Sequence, residues 1–307
     1  MSFDTLIEKI AEKHNPTVMG LDPVLDYIPE EMKKRAANEY GNTFKAAAEA
    51  ILEFNKALID SVADLIPAVK PQSAFYEMYG IEGLIALEKT IAYAKEAGLY
   101  VILDVKRNDI GSTAEAYAKA YLGTTKLFDG AEAEATPVDC VTVNPYLGID
   151  GVEPFAKICA ERDKAAFILV KTSNKSSGDF QDLDAGGMPL FHRVAAKIDE
   201  WGAETITDKG YSALGAVVGA TYPRQLAELR RLMPHTFFLI PGYGAQGGTA
   251  KDIVGAFDKT GSGAIVNSSR GLMCAYKKAG DNGDNLKKHT REAVIEMRDA
   301  IDEAVGI

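Results

Sequence analysis

The sequence predicts an α/β fold, a (β/α)8 TIM barrel that forms a single domain with long loop insertions. Eight short apolar runs recur along the 307 residues, and they are continuous rather than alternating. Continuous apolar runs are typical of parallel strands that are buried on both faces. Helix-like segments separate most of the runs, and this alternation favours a closed barrel over the alternative, an open doubly wound sheet.

The predicted elements follow one another in strand–helix order along the chain. The eight strand-like runs are rich in Val, Ile, Leu and Phe, and they cover residues 17–21, 65–69, 100–103, 138–143, 166–170, 214–218, 237–240 and 264–266. The clearest helix-like segments have apolar residues at helical spacing, and they cover residues 46–63, 81–97, 113–122 and 222–233.

The chain is longer than the ~250 residues that are typical of this barrel. The excess falls in three connections, which cover residues 22–45, 123–136 and 174–209. Residues 285–305 add a C-terminal segment with an apolar helical face. No flexible linker interrupts the chain, so we expect one domain over residues 1–307, with an N-terminal and a C-terminal helix flanking the barrel.

Composition excludes several classes of function. Acidic residues outnumber basic ones by 44 to 34, and no basic tract is present, which argues against a nucleic-acid partner. The first residues lack a basic segment followed by a long apolar one, so we expect neither a signal peptide nor a membrane span. Cys140, Cys159 and Cys274 lack the spacing of metal ligands, so we expect free thiols in the cytoplasm and no metal site.

One charged segment stands out because it directly follows a predicted buried strand. Asp104 and Lys106 are two residues apart, so on a strand they project to the same side, and Asp109 follows in the loop. Buried charges are costly unless they are paired. Two interpretations remain open at this point: a proton donor held between anions, or a structural ion-pair network at the barrel mouth.

Polar residues follow most of the other predicted strands as well. Active sites of such barrels lie at the carboxyl ends of the strands, where these side chains converge. Besides the charged segment, the polar residues at strand ends include Asp22, Lys70, Asn144, Lys171, Thr172, Ser173, Asn267 and Arg270. The four histidines lie elsewhere, and no serine lies in a G-x-S-x-G elbow, so the chemistry rests on Lys and Asp.

The last two strands are followed by features that predict a phosphate site. Segment 241–248 reads PGYGAQGG, and a glycine-rich backbone can approach an anion closely. Arg270 offers a planar fork for phosphate oxygens, although a solvated surface charge is the alternative. The segment also matches G-x-G-x-x-G, but no acidic residue ends the next strand, which argues against a nicotinamide or flavin cofactor.

Taken together, these motifs resemble the orotidine 5′-phosphate decarboxylase family. Segment 104–113, DVKRNDIGST, is similar to the family signature D-x-K-x-x-D-I-x-x-T, and segment 241–248 is similar to its P-G-x-G-A-Q-G-G phosphate loop. Segments 20–23 and 69–71 also fit, so the resemblance runs from about residue 20 to residue 271. The chain length and the sequence VNSSRG at 266–271 resemble the longer bacterial branch (type 2), whereas the arginine of the shorter branch usually follows a glycine.

The resemblance implies decarboxylation of orotidine 5′-monophosphate to UMP by a homodimer without metal or organic cofactor. It implies that Lys106 protonates C6 of the pyrimidine and that Asp104 lies beside the departing carboxylate. It also implies that Lys70 and Asp22 contact the ribose and that Ser173 contacts the pyrimidine. Gln246, in the loop that begins at Pro241, would contact base and phosphate, and Arg270 would bind the phosphate. Asp109, Ile110 and Thr113 would reach the active site of the partner subunit.

Two other functions compete with this one. Sugar-phosphate decarboxylases that resemble keto-gulonate phosphate decarboxylase share D-x-K-x-x-D but use Mg²⁺, and their second strand ends in an acidic ligand. Here that position is Lys70, whose charge opposes metal binding. A catalytically silent phosphate-binding barrel is the other alternative, and the intact set Lys70, Asp104, Lys106 and Asp109 argues against it.

Overall fold

A computed structural model describes residues 2–306 and shows a closed barrel of eight parallel strands. Strand β8 pairs with β1 and closes the barrel, so the closed-barrel prediction is confirmed and the open sheet is excluded. The strands follow chain order around the barrel: β1 Thr17–Leu21, β2 Ala68–Pro71, β3 Tyr100–Arg107, β4 Cys140–Val143, β5 Ala165–Lys171, β6 Leu214–Val218, β7 Phe238–Ile240 and β8 Ala264–Ser268.

Helices cover the outside of the barrel and occupy its longer connections. They are α1 Ser2–Lys13, α2 Glu30–Tyr40, α3 Phe44–Val62, α4 Ala74–Glu77, α5 Gly80–Glu96, α6 Gly111–Leu122, α7 Ile149–Arg162, α8 Leu190–Gly202, α9 Pro223–Leu232, α10 Ala250–Ile253, α11 Arg270–Met273, α12 Ala275–Lys278 and α13 Leu286–Val305. Short 3₁₀ turns lie at Leu25–Tyr27, Lys175–Asp179, Ala203–Thr205 and Val254–Ala256. Within residues 2–306, no helix combines the length and the apolar character needed to cross a membrane.

The largest differences from the expected strand boundaries lie at the start of the second strand and at the end of the third. The second strand begins at Ala68 rather than at residue 65, because the amides of Leu65 and Ile66 donate to the Val62 carbonyl and complete the end of α3. The third strand continues to Arg107, which pairs with Val143 of β4. Asp104 and Lys106 therefore lie within the strand, and Asp109 follows it.

The three long connections contain secondary structure of their own. The first holds α2, and the second holds a two-stranded hairpin formed by Thr125–Lys126 and Glu132–Ala133. The third holds the 3₁₀ turn Lys175–Asp179 and then α8, as the predicted combination of loop and helix requires.

Helix α1 closes the amino end of the barrel. The Phe3 ring lies 4.8 Å from the Phe167 ring and 5.3 Å from the Phe237 ring, centroid to centroid, and Leu6 is fully buried beside them. Burying a side chain of this size contributes ~1.5–3 kcal/mol. Because the amino end is filled by apolar side chains, the opposite, carboxyl end is the open end of the barrel.

Candidate active site at the carboxyl end of the barrel

A cavity of about 990 Å³ opens at the carboxyl ends of the strands. Every strand, or the residue directly after it, contributes to its lining. The lining includes eight of the residues that the sequence singled out: Asp22, Lys70, Asp104, Lys106, Ser173, Pro241, Gln246 and Arg270. The closure of the barrel brings these side chains together from segments that lie up to about 250 residues apart.

Three charged side chains form the floor of this cavity. Asp104 accepts from Lys70 Nζ at 2.7 Å through Oδ2 and from Lys106 Nζ at 2.6 Å through Oδ1. The side chains of Lys70 and Asp104 are 5% and 8% exposed, whereas that of Lys106 is 46% exposed. Lys106 therefore presents its ammonium group to the cavity, while the other two charges are enclosed.

The ion pairs govern the protonation of the enclosed groups. Burial alone would raise the pKa of the Asp104 carboxyl, but the ammonium groups of Lys70 and Lys106 outweigh burial and hold that pKa well below its ordinary value. Burial alone would lower the pKa of Lys70, but Asp104 and Asp22 outweigh it and raise that pKa. Asp104 is therefore an anion and Lys70 a cation throughout the neutral range.

A backbone irregularity aims Lys106 at the cavity. Between the pairs Leu103–Val141 and Arg107–Val143, β3 advances four residues while β4 advances two, so β3 bulges. Lys106 lies in the bulge with φ of 44°, a left-handed conformation that costs a non-glycine residue ~1–3 kcal/mol. Strain of this kind concentrates at functional sites.

Two buried acceptor atoms in the site have no hydrogen-bond donor within the described chain, residues 2–306. They are Asp22 Oδ1, after β1, and Asn267 Oδ1, on the neighbouring strand β8. Both residues line the cavity. Because an unsatisfied buried acceptor is costly, this side of the cavity is suited to a ligand that brings donors such as hydroxyl groups.

The glycine-rich segment 241–248 forms a tight turn beside these acceptors. Gly242, Gly244 and Gly247 have φ values of 99°, 71° and 99°, which only glycine adopts readily. The Gly244 amide donates to the Gly248 carbonyl at 2.8 Å and so closes the turn. Arg270, at the start of α11, donates to the Ala245 carbonyl at 3.3 Å, which places its guanidinium against the turn.

Segment 172–181 forms a further wall of the cavity and begins beside the glycine-rich turn. Ser173 lines the cavity directly after β5, and the exposed ring of Phe180 lies at its rim. Lys171 is fully buried and donates to Asp182 Oδ1 at 2.7 Å and to Ser177 Oγ at 3.2 Å. Lys171 thus anchors this segment and is not among the residues that line the cavity.

Three of the residues with an implied role in the reaction lie outside this cavity. Asp109, Ile110 and Thr113 are not among its lining residues, although they follow Lys106 closely in sequence. Asp109 accepts from the Ile110 amide at 2.8 Å, and the Ile110 side chain is 53% exposed. Asn144 also lies outside the cavity lining, and its Oδ1 accepts from the Tyr146 amide at 3.0 Å in a turn.

The sequence analysis missed Thr142 of β4, which contacts two of the charged residues. Its hydroxyl donates to Asp104 Oδ1 at 2.8 Å and accepts from the Lys106 amide at 2.9 Å. The available signal was a polar residue between two valines, in the apolar run 138–143. Such a residue on a central strand requires a hydrogen-bond partner, and here the partners are the charged residues.

Comparisons with known proteins agree with this geometry. Residues 42–281 match the profile of a family described as "Orotidine 5'-phosphate decarboxylase / HUMPS family". The chain is 43% identical to an orotidine 5′-phosphate decarboxylase of Rhodopirellula baltica, over 98% of this chain and 99% of that protein.

Two solved structures show the same fold. A UMP synthase of Leishmania donovani superposes with a TM-score of 0.77 at 34% identity, and the match covers 99% of this chain and 56% of that one. A structure described as a putative orotidine-monophosphate decarboxylase of Toxoplasma gondii has a TM-score of 0.77 at 33% identity, with 98% of both chains covered.

Proposed function

The chain belongs to the orotidine 5′-phosphate decarboxylase / HUMPS family, and from this premise we propose which of its residues carry out the reaction. The enzyme converts orotidine 5′-monophosphate to UMP and CO₂ in pyrimidine biosynthesis. The observation that carries the proposal is the row of charges Lys70–Asp104–Lys106 on the cavity floor, with ion-pair distances of 2.7 and 2.6 Å.

The proposed substrate pose follows from the chemistry of the cavity walls. The phosphate binds to the turn 241–248 and to Arg270, because backbone amides and a guanidinium fork suit an anion. The ribose hydroxyls donate to Asp22, whose Oδ1 is a buried acceptor, and Lys70 contacts the same sugar. The pyrimidine then lies between Ser173 and Gln246, with C6 and its carboxylate over the charged floor.

In the proposed chemical step, the bond between C6 and the carboxylate breaks and CO₂ departs. The electron pair remains at C6, where resonance stabilises it poorly. The ammonium of Lys106 stabilises this charge electrostatically and then donates its proton to C6. Lys106 becomes a neutral amine and regains a proton from water, so atoms and charge balance.

Asp104 is proposed to keep the Lys106 ammonium in place. Its carboxylate accepts from Lys106 Nζ at 2.6 Å. The anion also lies where the substrate carboxylate must enter, so repulsion in the ground state is a further contribution of Asp104. Binding of the remote phosphate offsets this repulsion and assembles the charged site around the substrate.

The same barrel family includes sugar-phosphate enzymes, and Lys70 separates this chain from a metal-dependent mechanism. Its ammonium lies 2.7 Å from Asp104, in the place where a divalent cation would need a second carboxylate. A cation at this position repels a metal ion. We therefore propose that the decarboxylation is independent of metals and of organic cofactors.

We propose that the active enzyme is a homodimer in which each subunit completes the site of the other. Support comes from Asp109, Ile110 and Thr113, which lie outside the cavity of their own chain at the edge of its mouth. Ile110 exposes half of an apolar side chain there.

We also propose that residues 1–307 form one domain. We further propose a cytoplasmic location, which three free cysteines support.

Mixing two inactive variants tests the shared site. Lys106→Ala and Asp109→Ala dimers should each be inactive, but a mixed dimer carries one site with both native residues. After subunit exchange in a 1:1 mixture, we expect about a quarter of wild-type activity, because half of the dimers then carry one intact site. No recovery in a mixture that mass spectrometry shows to contain mixed dimers contradicts the shared site.

The reaction itself is tested by adding orotidine 5′-monophosphate to the purified protein and following the ultraviolet absorbance. We expect conversion to UMP with release of CO₂ at a rate that EDTA leaves unchanged. Loss of activity in EDTA that Mg²⁺ restores would instead support a metal-dependent mechanism. Absence of turnover under both conditions would support the silent phosphate-binding barrel.

A further inference from the structure

We propose that Thr142 is a positioning residue, whose hydroxyl holds Asp104 and the strained backbone of Lys106 in their reactive arrangement. This inference rests on the proposed function, since it concerns the geometry of the same charged floor. Thr142 is 1% exposed and lies on β4, directly opposite the bulge of β3.

The hydrogen-bond roles of the Thr142 hydroxyl are fixed by its two partners. A backbone amide can only donate, so the hydroxyl accepts from the Lys106 N–H at 2.9 Å. A carboxylate can only accept, so the single hydroxyl hydrogen points to Asp104 Oδ1 at 2.8 Å. One hydroxyl group therefore connects the backbone of the proposed proton donor to the carboxylate that binds its side chain.

The hydrogen bond from the Lys106 amide to Thr142 replaces a ladder hydrogen bond that the bulge removes. In a regular parallel ladder the Lys106 amide would donate to a carbonyl of β4, but pairing is interrupted between Leu103 and Arg107. The Thr142 hydroxyl takes the place of that carbonyl and keeps the amide satisfied. The left-handed conformation of Lys106, with φ of 44°, is thereby held in place.

The contact with Asp104 fixes the rotation of the carboxylate. Oδ2 accepts from Lys70, while Oδ1 accepts from both Lys106 and Thr142. Without the hydroxyl, the carboxylate could rotate about its Cβ–Cγ bond and follow the half-exposed Lys106 side chain. The Thr142 bond therefore keeps the negative charge, and with it the Lys106 ammonium, beneath the position of C6.

The proposal predicts an effect on the chemical step rather than on substrate binding. The phosphate and ribose contacts are made by other residues, so KM and the affinity for UMP should stay within about threefold of wild type. A displaced proton donor slows the reaction, since an error of ~1 Å in placement costs about a hundredfold. We therefore expect Thr142→Val to lower kcat by about a hundredfold.

Thr142→Ser and Thr142→Ala form the matched pair that isolates the hydroxyl group. Both variants lose the same methyl group, and only Ser retains the oxygen. We expect Ser to retain kcat within about threefold of wild type and Ala to lose as much as Val. If the Val variant fails to fold, this pair still tests whether the Thr142 hydroxyl is needed for the chemical step.

Thr90→Val serves as a control for loss of a buried threonine hydroxyl. Thr90 is fully buried and accepts from Asn55 Nδ2 at 3.1 Å, outside the lining of the cavity. We expect this variant to lower the melting temperature and leave kcat unchanged. Equal kcat values for Thr142→Ser and Thr142→Ala would overturn the positioning role, while an inactive wild-type enzyme would instead overturn the proposed function.

Discussion

At the scale of single residues, the charged floor is explained by the cost of enclosing charge. An isolated buried carboxylate is unfavourable, but Asp104 receives three donors, from Lys70, Lys106 and Thr142. The three side chains Lys70, Asp104 and Lys106 carry one net positive charge within the chain. A substrate carboxylate, or the proposed Asp109 of a second copy, neutralises that charge at the cavity.

The phosphate-binding role of Arg270 is a prediction at this scale. Arg270→Ala should lower kcat/KM for orotidine 5′-monophosphate by about a hundredfold, because charge-assisted bonds to the phosphate are lost. The same variant should turn over the phosphate-free nucleoside as the wild type does. Gln246→Ala should also lose more activity on the phosphorylated substrate than on the nucleoside. Steady-state kinetics on both substrates measures this difference, with exposed Arg231→Ala as the control. Equal losses on both substrates would contradict the phosphate role.

Single residues also show what the sequence could and could not predict. Asp104 and Lys106 could be identified as candidate site residues from the sequence, because charged residues directly after an apolar run are costly to bury unless they are paired. The positive φ of Lys106 could not be predicted, because it depends on the bulge in β3. The bulge in turn depends on the register between β3 and β4, which are separate segments of the sequence. Thr142 was missed for the same reason, since its partners lie on another strand.

At the scale of elements, the turn 241–248 shows how backbone conformation prepares an anion site. Three of its glycines have positive φ, and the turn closes through its own hydrogen bonds. Its sequence predicted this turn well, because glycine adopts positive φ at little steric cost. The anchoring of segment 172–181 by Lys171 and Asp182 was not predictable, since both residues also fit a surface ion pair.

Gly247→Ala tests whether the conformation of this turn matters for the substrate. A Cβ at this residue meets no atom within 4 Å, so the change adds only backbone strain, of ~1–3 kcal/mol. We expect KM for orotidine 5′-monophosphate to rise by about tenfold or more, because the turn moves away from the phosphate.

Gly130→Ala is the matched control for that substitution. Gly130 also has positive φ and open space around its Cβ position, but it lies in the hairpin of the second long connection. The Gly130→Ala variant should show a similar loss in the free energy of unfolding, measured by chemical denaturation, and an unchanged KM. Equal KM values for the two variants would show that the turn does not shape the phosphate site.

At the scale of the whole molecule, closure of the barrel creates the site. Strand β1 is followed by Asp22 and pairs with β8, which carries Asn267, although the two segments lie near opposite ends of the chain. The alternation of strands and helices was enough to predict this closure, and with it the meeting of the strand ends. The contents of the long connections were less predictable, because they pack against the barrel without a regular repeat.

The dependence of stability on pH is a prediction for the whole molecule. Several carboxyl groups have lowered pKa values in the folded state, among them Asp104 between its two lysines and Asp64 beside Arg291. A lowered pKa stabilises the folded state above the unfolded pKa of about 4, and this contribution is lost as pH falls towards the folded value. Asp199 and Asp302 have raised pKa values and oppose this trend.

We therefore expect the free energy of unfolding to change little between about pH 7 and pH 5 and to fall steeply below about pH 4. Urea denaturation at a series of pH values measures it. The slope at low pH should be smaller in Asp64→Asn, because one of the lowered carboxyl groups is then removed. A stability that rises on acidification below pH 4 would contradict the ion-pair assignments.

The central claim is that Lys106 supplies the proton to C6, and Lys106→Ala tests it most directly. Loss of the proton donor should lower kcat for orotidine 5′-monophosphate by about 10⁴-fold, while the circular dichroism spectrum and the affinity for UMP remain close to those of the wild type. Exposed Lys119→Ala, on α6, is the control and should retain full activity. The account predicts a folded, UMP-binding and inactive Lys106→Ala enzyme, and near-normal turnover by that variant would contradict it.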